Sequence, residues 1–283
     1  DAYKAVREML GKLNDPYTRF MDPQQFKSMQ IETAGELTGV GIQIAEDEKT
    51  KEIKVISPIE GSPASQAGLL AQDVIVKIDN KSTKGMDVNQ AVGLIRGPVN
   101  TKVILTIRRG TTEMSFNLLR AKIEIHPVRY SVKQSPNGSI GYIRLIQFSA
   151  NAAAEMRAAI KDLEKQQVKG YILDLRSNPG GLLYASEEIA SMFLDKGTIV
   201  STQTRSGLAQ KANAEGKPLT TKPLVVLIDG GSASASEILS GALQDNQRAV
   251  LVGTKTFGKG LVQEVRALGN DAGLAVTIAK YYT

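Results

Sequence analysis

The sequence predicts a multidomain α/β chain (α+β in overall arrangement): an α/β core with an inserted β-rich module and an N-terminal helical arm. Three observations carry this. Beyond Lys122, near-continuous apolar runs such as Tyr171-Ile172-Leu173-Asp174-Leu175 alternate with helical patterns, as in sheets covered on both faces. Between Glu36 and Leu119 the pattern shortens to brief strands separated by turn residues, with two short helices among them. Ahead of both, Ala5, Val6, Met9, Leu10 and Leu13 keep a 3.6-residue rhythm. The boundaries follow: a helical segment over 1–34, the β-rich module over 35–122 and the α/β core over 123–283.

Taken in order, the first helical pattern is broken by Asn14-Asp15-Pro16, and Asp22-Pro23 starts a second short helix from Gln24 to Ile31. In the module, Leu37–Ile44 opens a strand section and Ile53–Ser57 continues it. Pro63 at the front and Gly68 at the end delimit a short helix, each residue suited to its position. Strands follow at Asp73–Asn80, Val103–Arg108 and Met114–Leu119, with a helix from Asp87 to Arg96. In the core, strands are expected at Ile140–Leu145, Gly170–Arg176, Thr198–Thr202, Leu224–Asp229 and Ala249–Val252, then at Leu261–Val265 and Leu274–Ile278. Helices are expected at Ala152–Gln166 and Leu183–Phe193, and one is entered at Ser234. The polar stretch 205–222 reads as a surface loop. The sequence opens inside a helical pattern and stops just after a strand-like segment, so both ends, the C-terminus in particular, are expected to be truncated.

Composition narrows the chemistry. With no cysteine, thiolate nucleophiles, disulfides and cysteine zinc sites are excluded, and one histidine, His126, removes mechanisms that need two. The net charge of +6 comes from lysines and arginines scattered among acids, so no nucleic-acid stripe forms. No run of about 18 apolar residues is present to span a membrane.

The chemistry concentrates between Asp229 and Gln263. Ser232, Ser234 and Ser236 alternate along a small-residue turn that leads into a helix, and spacing alone does not choose among them. Ser234-Ala235-Ser236-Glu237 also matches a helix capping box. Gly253–Gly260 has most of a P-loop frame, but Gly260 stands where Ser or Thr should hold magnesium and a strand pattern follows instead of a helix. No nucleotide is therefore expected. With one histidine, a serine nucleophile needs another base. A neutral lysine serves if its pKa falls from ~10.4 to about 7–8, which burial provides. Lys259, between two glycines and leading into an apolar strand, is the candidate, and Gln263, four positions along the strand on the same face, carries a neutral amide that could orient it without restoring its charge.

Two resemblances sharpen this. Gly39-Val40-Gly41-Ile42, Ser62-Pro63-Ala64-Ser65-Gln66-Ala67-Gly68-Leu69 and the Asp73–Ile78 strand resemble a PDZ domain, which implies that Gly39, Val40, Gly41 and Ile42 bind a peptide carboxylate beside a strand edge. Gln72 and Asn80 stand where that pattern usually has glycine. Ser232-Ala233-Ser234-Ala235-Ser236-Glu237, Thr256-Phe257-Gly258-Lys259-Gly260-Leu261-Val262-Gln263 and the Asn178-Pro179-Gly180-Gly181 turn resemble the carboxyl-terminal processing (tail-specific) proteases over about residues 7–283. The Asp15–Met21 run is similar to the cyanobacterial and plastid members that act in photosystem II maturation.

The resemblance implies a ClpP/crotonase-like core and a serine–lysine peptidase with Ser234 as nucleophile, Lys259 as general base and Gln263 as its orienting partner. Backbone N–H groups of Gly180 and Ala235 would form the oxyanion hole. It also implies C-terminal tails of proteins as substrates, an exported location in periplasm or thylakoid lumen, and no metal or organic cofactor. A homodimer is admitted. The alternative is a catalytically silent PDZ adaptor.

Overall fold

The computed structural model describes residues 2–47, 49–207 and 209–283. They divide into two compact units, one made of the residues up to Gly35 together with His126–Thr283, the other of Glu36–Ile125.

The first unit begins with α1 (Ala2–Gly11), β1 (Arg19–Met21) and α2 (Pro23–Ala34). Local chemistry sets the limits of α2. Asp22 accepts the Gln25 N–H while the Gln25 side chain accepts the Asp22 N–H, Pro23 enters the first turn, and Gly35 ends the helix at φ +71°.

The second unit holds β2 (Glu36–Gly39), β3 (Ile42–Glu46), β4 (Ile53–Pro58), α3 (Pro63–Gln66) and β5 (Val74–Ile78). It continues with β6 (Lys81–Ser82), α4 (Val88–Ile95), β7 (Lys102–Arg109), β8 (Thr112–Leu119) and β9 (Ala121–Glu124). Its main sheet runs β3-β4-β5-β7-β8 with β6 on β5, and β2 pairs with β9. Alternate residues of these strands, Val55, Ile75, Leu105 and Ile107 among them, are completely buried. The Leu37–Ile44 stretch that opens the strand section holds parts of two strands, β2 and β3. Gly41, at φ +76°, turns the chain between them where a Cβ would come within 2.2 Å of Ser62 Cβ. Gln72 sits at φ +72°, a left-handed conformation that accounts for the glycine usual there.

The first unit resumes with β10 (Val128–Ser135), β11 (Gly138–Leu145), α5 (Ala152–Lys165), β12 (Gly170–Asp174), α6 (Leu183–Ser191) and β13 (Thr198–Thr204). Then come β14 (Ala209–Asn213), β15 (Leu224–Ile228), α7 (Ala235–Asp245), β16 (Val250–Gly253), β17 (Leu261–Ala267) and β18 (Gly273–Tyr282). One sheet runs β10-β11-β12-β15-β16, parallel except for β10. The other runs β1-β18-β13-β14 with β17 on β18. Met156, Ile160 and Leu163 of α5, Ile189 of α6 and Ile238, Leu239 and Leu243 of α7 share one core with β11, β12, β13 and β15. Three elements of this unit depart from expectation: the short strand β1 was not among those expected, and two others differ. The 205–222 stretch includes β14, a strand defined by backbone pairing with β13 and not by an apolar pattern. Strand β10 went unassigned although Val128, Tyr130 and Val132 alternate with polar residues, because most of it is exposed.

The parallel register positions the site. Asp174 pairs with Leu227 and Ile228 with Gly253, so the C-terminal ends of β12, β15 and β16 lie side by side and their following turns emerge together. Asp174, fully buried at the end of β12, accepts hydrogen bonds from Arg176 (2.7 Å) and Tyr142 (2.6 Å). Burial alone would raise its pKa, but these partners hold it at about 2.

Candidate active site

The turns after β12 and β15 are stitched together at Asn178. Completely buried, it donates its amide to Leu145 O (2.8 Å), accepts the Gly180 N–H at Oδ1 (2.9 Å), and accepts the Ala233 N–H at its carbonyl (3.0 Å). Asp229 completes the join by accepting the N–H groups of Ser177 (2.8 Å) and Gly231 (2.9 Å).

This packing separates the three serines. Ser232 is fully buried, donating to Leu175 O (2.8 Å) and accepting from the Asp229 N–H (3.0 Å). Ser236, also fully buried, donates to Asn178 O (3.0 Å). Both hydroxyls are consumed in holding the turn. Ser234 is half-buried, and its side chain makes no cap bond to the helix it precedes. Its backbone, φ +55° and ψ −115°, is a strained strand-to-helix turn of the kind that lifts a hydroxyl off the sheet. At the expected capping box the Glu237 Oε2 accepts the Ser234 N–H (2.9 Å), and the Glu237 N–H is hydrogen-bonded to the Ser234 carbonyl (2.8 Å). Ala235 opens α7, so its N–H has no acceptor within the helix. Gly180 lies against this turn at φ +98°, where a Cβ would be 2.8 Å from Ser234 Cβ and 3.0 Å from Ala235 N. Its N–H is given to Asn178.

Lys259 lies in the loop ahead of β17, not on the strand, and a bulge between Val262 and Gln263 breaks the alternation that would put Gln263 on its face. The Gln263 amide donates to Thr277 Oγ1 (3.4 Å). Half-buried, the Lys259 amine stands over the ring of Tyr17, 5.2 Å from its centroid. Among the described residues no hydrogen bond joins it to Ser234. Burial, and then the Arg19 charge, push its pKa below the usual lysine value, against the pull of Glu237. The structure thus brings Ser234, Ala235 and Gly180 into contact and puts Lys259 and Gln263 on the neighbouring loop and strand.

Glu237 is the residue that sequence reasoning undervalued. Besides Ser234, its carboxylate accepts the N–H groups of Gly258 (2.6 Å) and Lys259 (2.8 Å), bolting the serine turn to the lysine loop. An acid at the third helical position was the visible signal, but its second set of partners lies over twenty residues away. Tyr281 adds to the clamp, its hydroxyl bonding Lys259 O and approaching Ser234 O at 3.3 Å. Removing the carboxylate strands three N–H groups. Glu237→Ala should cost about 2–3 kcal/mol, read as a lower thermal midpoint, and lower kcat about 100-fold. Glu237→Gln, keeping one acceptor oxygen, should fall between. His126 is a surface residue paired with Glu155 (2.8 Å), away from this chemistry.

In the second unit, Leu37, Gly39, Val40, Gly41, Ile42 and Ile44 form a groove with Val92, Ile95 and Arg96 of the α4 end. Strand β3 is the edge of its sheet, so one side of its backbone is open to an incoming strand. The N–H groups of Val40 and Gly41 have no hydrogen-bond acceptor among the described residues. Burial depresses the pKa of Arg96.

The model of peptidase family S41 matches residues 139–283, and a PDZ domain model matches 54–109. A carboxyl-terminal-processing protease of Synechocystis sp. is 49% identical over the whole of this chain and 67% of its own length. The chloroplastic carboxyl-terminal-processing peptidase 2 of Arabidopsis thaliana is 41% identical, with 57% of its length covered. Among solved structures, a photosystem II D1 C-terminal processing protease aligns over 99% of this chain and 77% of its own with a TM-score of 0.59 and 38% identity.

Proposed function

The chain belongs to peptidase family S41, the carboxyl-terminal-processing serine proteases, and from that premise we propose that Ser234 is its nucleophile and Lys259 its general base. The observation that carries the assignment is the contrast among the serines, since only Ser234 keeps a hydroxyl free of structural hydrogen bonds at the mouth of a helix.

In this scheme neutral Lys259 takes the Ser234 proton as Oγ bonds to the scissile carbonyl carbon. The carbonyl oxygen becomes an oxyanion facing the Ala235 N–H and the Gly180-Gly181 turn. Because Gly180 gives its N–H to Asn178 at rest, it exchanges that acceptor for the substrate, while Ala235 is ready at once. The C–N bond then breaks and the Lys259 ammonium protonates the leaving amine. Water, deprotonated by the Lys259 amine now neutral again, cleaves the acyl-enzyme, and the proton returns to Ser234. Lowering the lysine pKa by burial favours the neutral form this cycle needs.

The second unit is the tail reader. A substrate C-terminus pairs with the β3 edge, its carboxylate meeting the Val40 and Gly41 N–H groups and Arg96, its side chains the apolar wall of Ile42, Ile44, Val92 and Ile95. The C-terminal tail of the photosystem II D1 protein, for which the solved relative is named, is the first natural substrate to try, and an exported location follows from the same reading.

Peptides ending in a free or an amidated carboxyl group test both halves. Wild type is expected to cleave the free form at least tenfold better, as charge-assisted hydrogen bonds are worth about 1.5–3 kcal/mol, and Lys259→Ala to cleave neither. Equal cleavage by Lys259→Ala would sink the dyad. Tail binding by wild type with no cleavage at all would favour the silent adaptor.

A further inference from the structure

The lysine at the centre of this site has an unusual companion. Its Nζ lies 5.2 Å from the centroid of Tyr17, inside the range of cation–π attraction. Among the described residues, Lys259 takes part in no ion pair. The charged groups that face it are few. Arg19 repels it, and Glu237 attracts it while giving its oxygens to backbone N–H groups. The Tyr281 phenol stays neutral, since burial and then Glu237 push its pKa up.

Tyr17 is held in place by a relay of hydrogen bonds. Asp15 Oδ1 accepts the Tyr17 N–H (3.0 Å), and Asp15 Oδ2 accepts the Thr18 hydroxyl (2.6 Å). Thr18 Oγ1 in turn accepts the Thr277 N–H (3.1 Å), and Thr277 Oγ1 accepts the Gln263 amide (3.4 Å). An N-terminal turn that reads in sequence as a mere helix break is thereby fastened to the two strands that follow the lysine loop. Among the described residues no hydrogen bond joins Gln263 to Lys259, and this relay ties Gln263 to the turn that carries Tyr17.

We infer that Tyr17 is a positioning residue for the base: its ring holds the charged Lys259 amine in the resting site and yields it toward Ser234 once the amine has given its proton to water. The inference rests on the reading of Lys259 as general base. Its physical content is a sign. A ring that favours the ammonium raises the pH at which the amine becomes neutral, opposing the effects of burial and of Arg19. Removing the π face while keeping apolar volume therefore lets Lys259 deprotonate at lower pH. The rising acid limb of kcat/KM, which needs the neutral amine, moves the same way.

Two readouts test this on the whole chain. The titration of Lys259 is followed by the 13C shift of its Cε in the Ser234→Ala background, with Lys259→Arg to assign the signal, and kcat/KM is followed against pH in the active protein. Tyr17→Leu is expected to move both downward by about 0.5–1 pH unit, while Tyr17→Phe, which keeps the ring, leaves both midpoints at the wild-type value. Should Tyr17→Leu fail to fold, Tyr17→Phe with a progressively fluorinated ring weakens the π face at nearly constant shape and should lower the Lys259 midpoint step by step. The inference is overturned if Tyr17→Leu and the fluorinated rings leave the Lys259 titration unmoved, or if Tyr17→Phe moves it as far as Tyr17→Leu. Full activity in Lys259→Ala would instead overturn the assignment of the base, leaving the titration result to stand on its own.

Discussion

Replacing Ser234 with alanine is expected to lower kcat/KM by about 10⁴–10⁶-fold, in line with the loss of a serine nucleophile elsewhere, with a thermal midpoint within about 1 °C of wild type. The two halves of that expectation have separate causes. The hydroxyl makes no structural hydrogen bond, so removing it leaves no partner unsatisfied, and alanine occupies the same φ +55° backbone at similar strain. Its neighbours should behave in the opposite way. Ser232→Ala leaves the Asp229 N–H without its acceptor and takes one of two donors from Leu175 O, and Ser236→Ala takes one of two donors from Asn178 O, all in a buried turn. Each should cost about 1–3 kcal/mol of stability while retaining measurable turnover. Comparing melting curves and turnover across the three alanine variants therefore tests the choice of nucleophile. Comparable activity in Ser234→Ala and wild type would end it.

Gly180→Ala should be nearly as damaging by a different route. At φ +98° a Cβ is strained whatever the space, at about 1–2 kcal/mol. Here there is also no space: the added carbon would stand 2.7 Å from Ala233 O and 3.0 Å from Ala235 N. Those are backbone atoms of the serine turn, so relief requires the turn itself to move, adding about 1–3 kcal/mol. A displacement approaching 1 Å between nucleophile and oxyanion donors costs about 100-fold or more in rate. Loss of kcat by about 10²–10³ with a lower thermal midpoint is the expected result. Gly230→Ala is the control. The nearest atom to its Cβ would be 3.9 Å away and its φ is ordinary, so both quantities should stay close to wild type. Equal effects from the two substitutions would mean that turn flexibility, not contact with Ser234, is what Gly180 provides.

The elements most legible in the sequence are those whose signal is local. The apolar runs of β12 and β15, the rhythm of α5, the Asp22-Pro23 start of α2 and the glycine-rich turns after β12 and β15 each need only a few neighbouring residues to interpret. Strand β14 is the counterexample. Ala209–Asn213 has no strand-like pattern, and its conformation comes from pairing with β13 across a hairpin. The break between β2 and β3 is another case, since a left-handed glycine and an ordinary flexible glycine look alike in sequence until Ser62 is seen packed against Gly41.

In the active site the division is sharper. The residues by themselves determined which groups are available: no thiol, one histidine, three serines at a helix mouth, a lysine between glycines and the motifs that carry the family resemblance. Only the tertiary structure decided which serine keeps a free hydroxyl, that Glu237 joins the serine turn to the lysine loop, and that the lysine rests on an aromatic ring from the N-terminal turn. The reason is that a hydrogen bond or a ring contact depends on position in space. The partners that set this site come from distant parts of the chain, as Thr18 and Thr277 do across 259 positions.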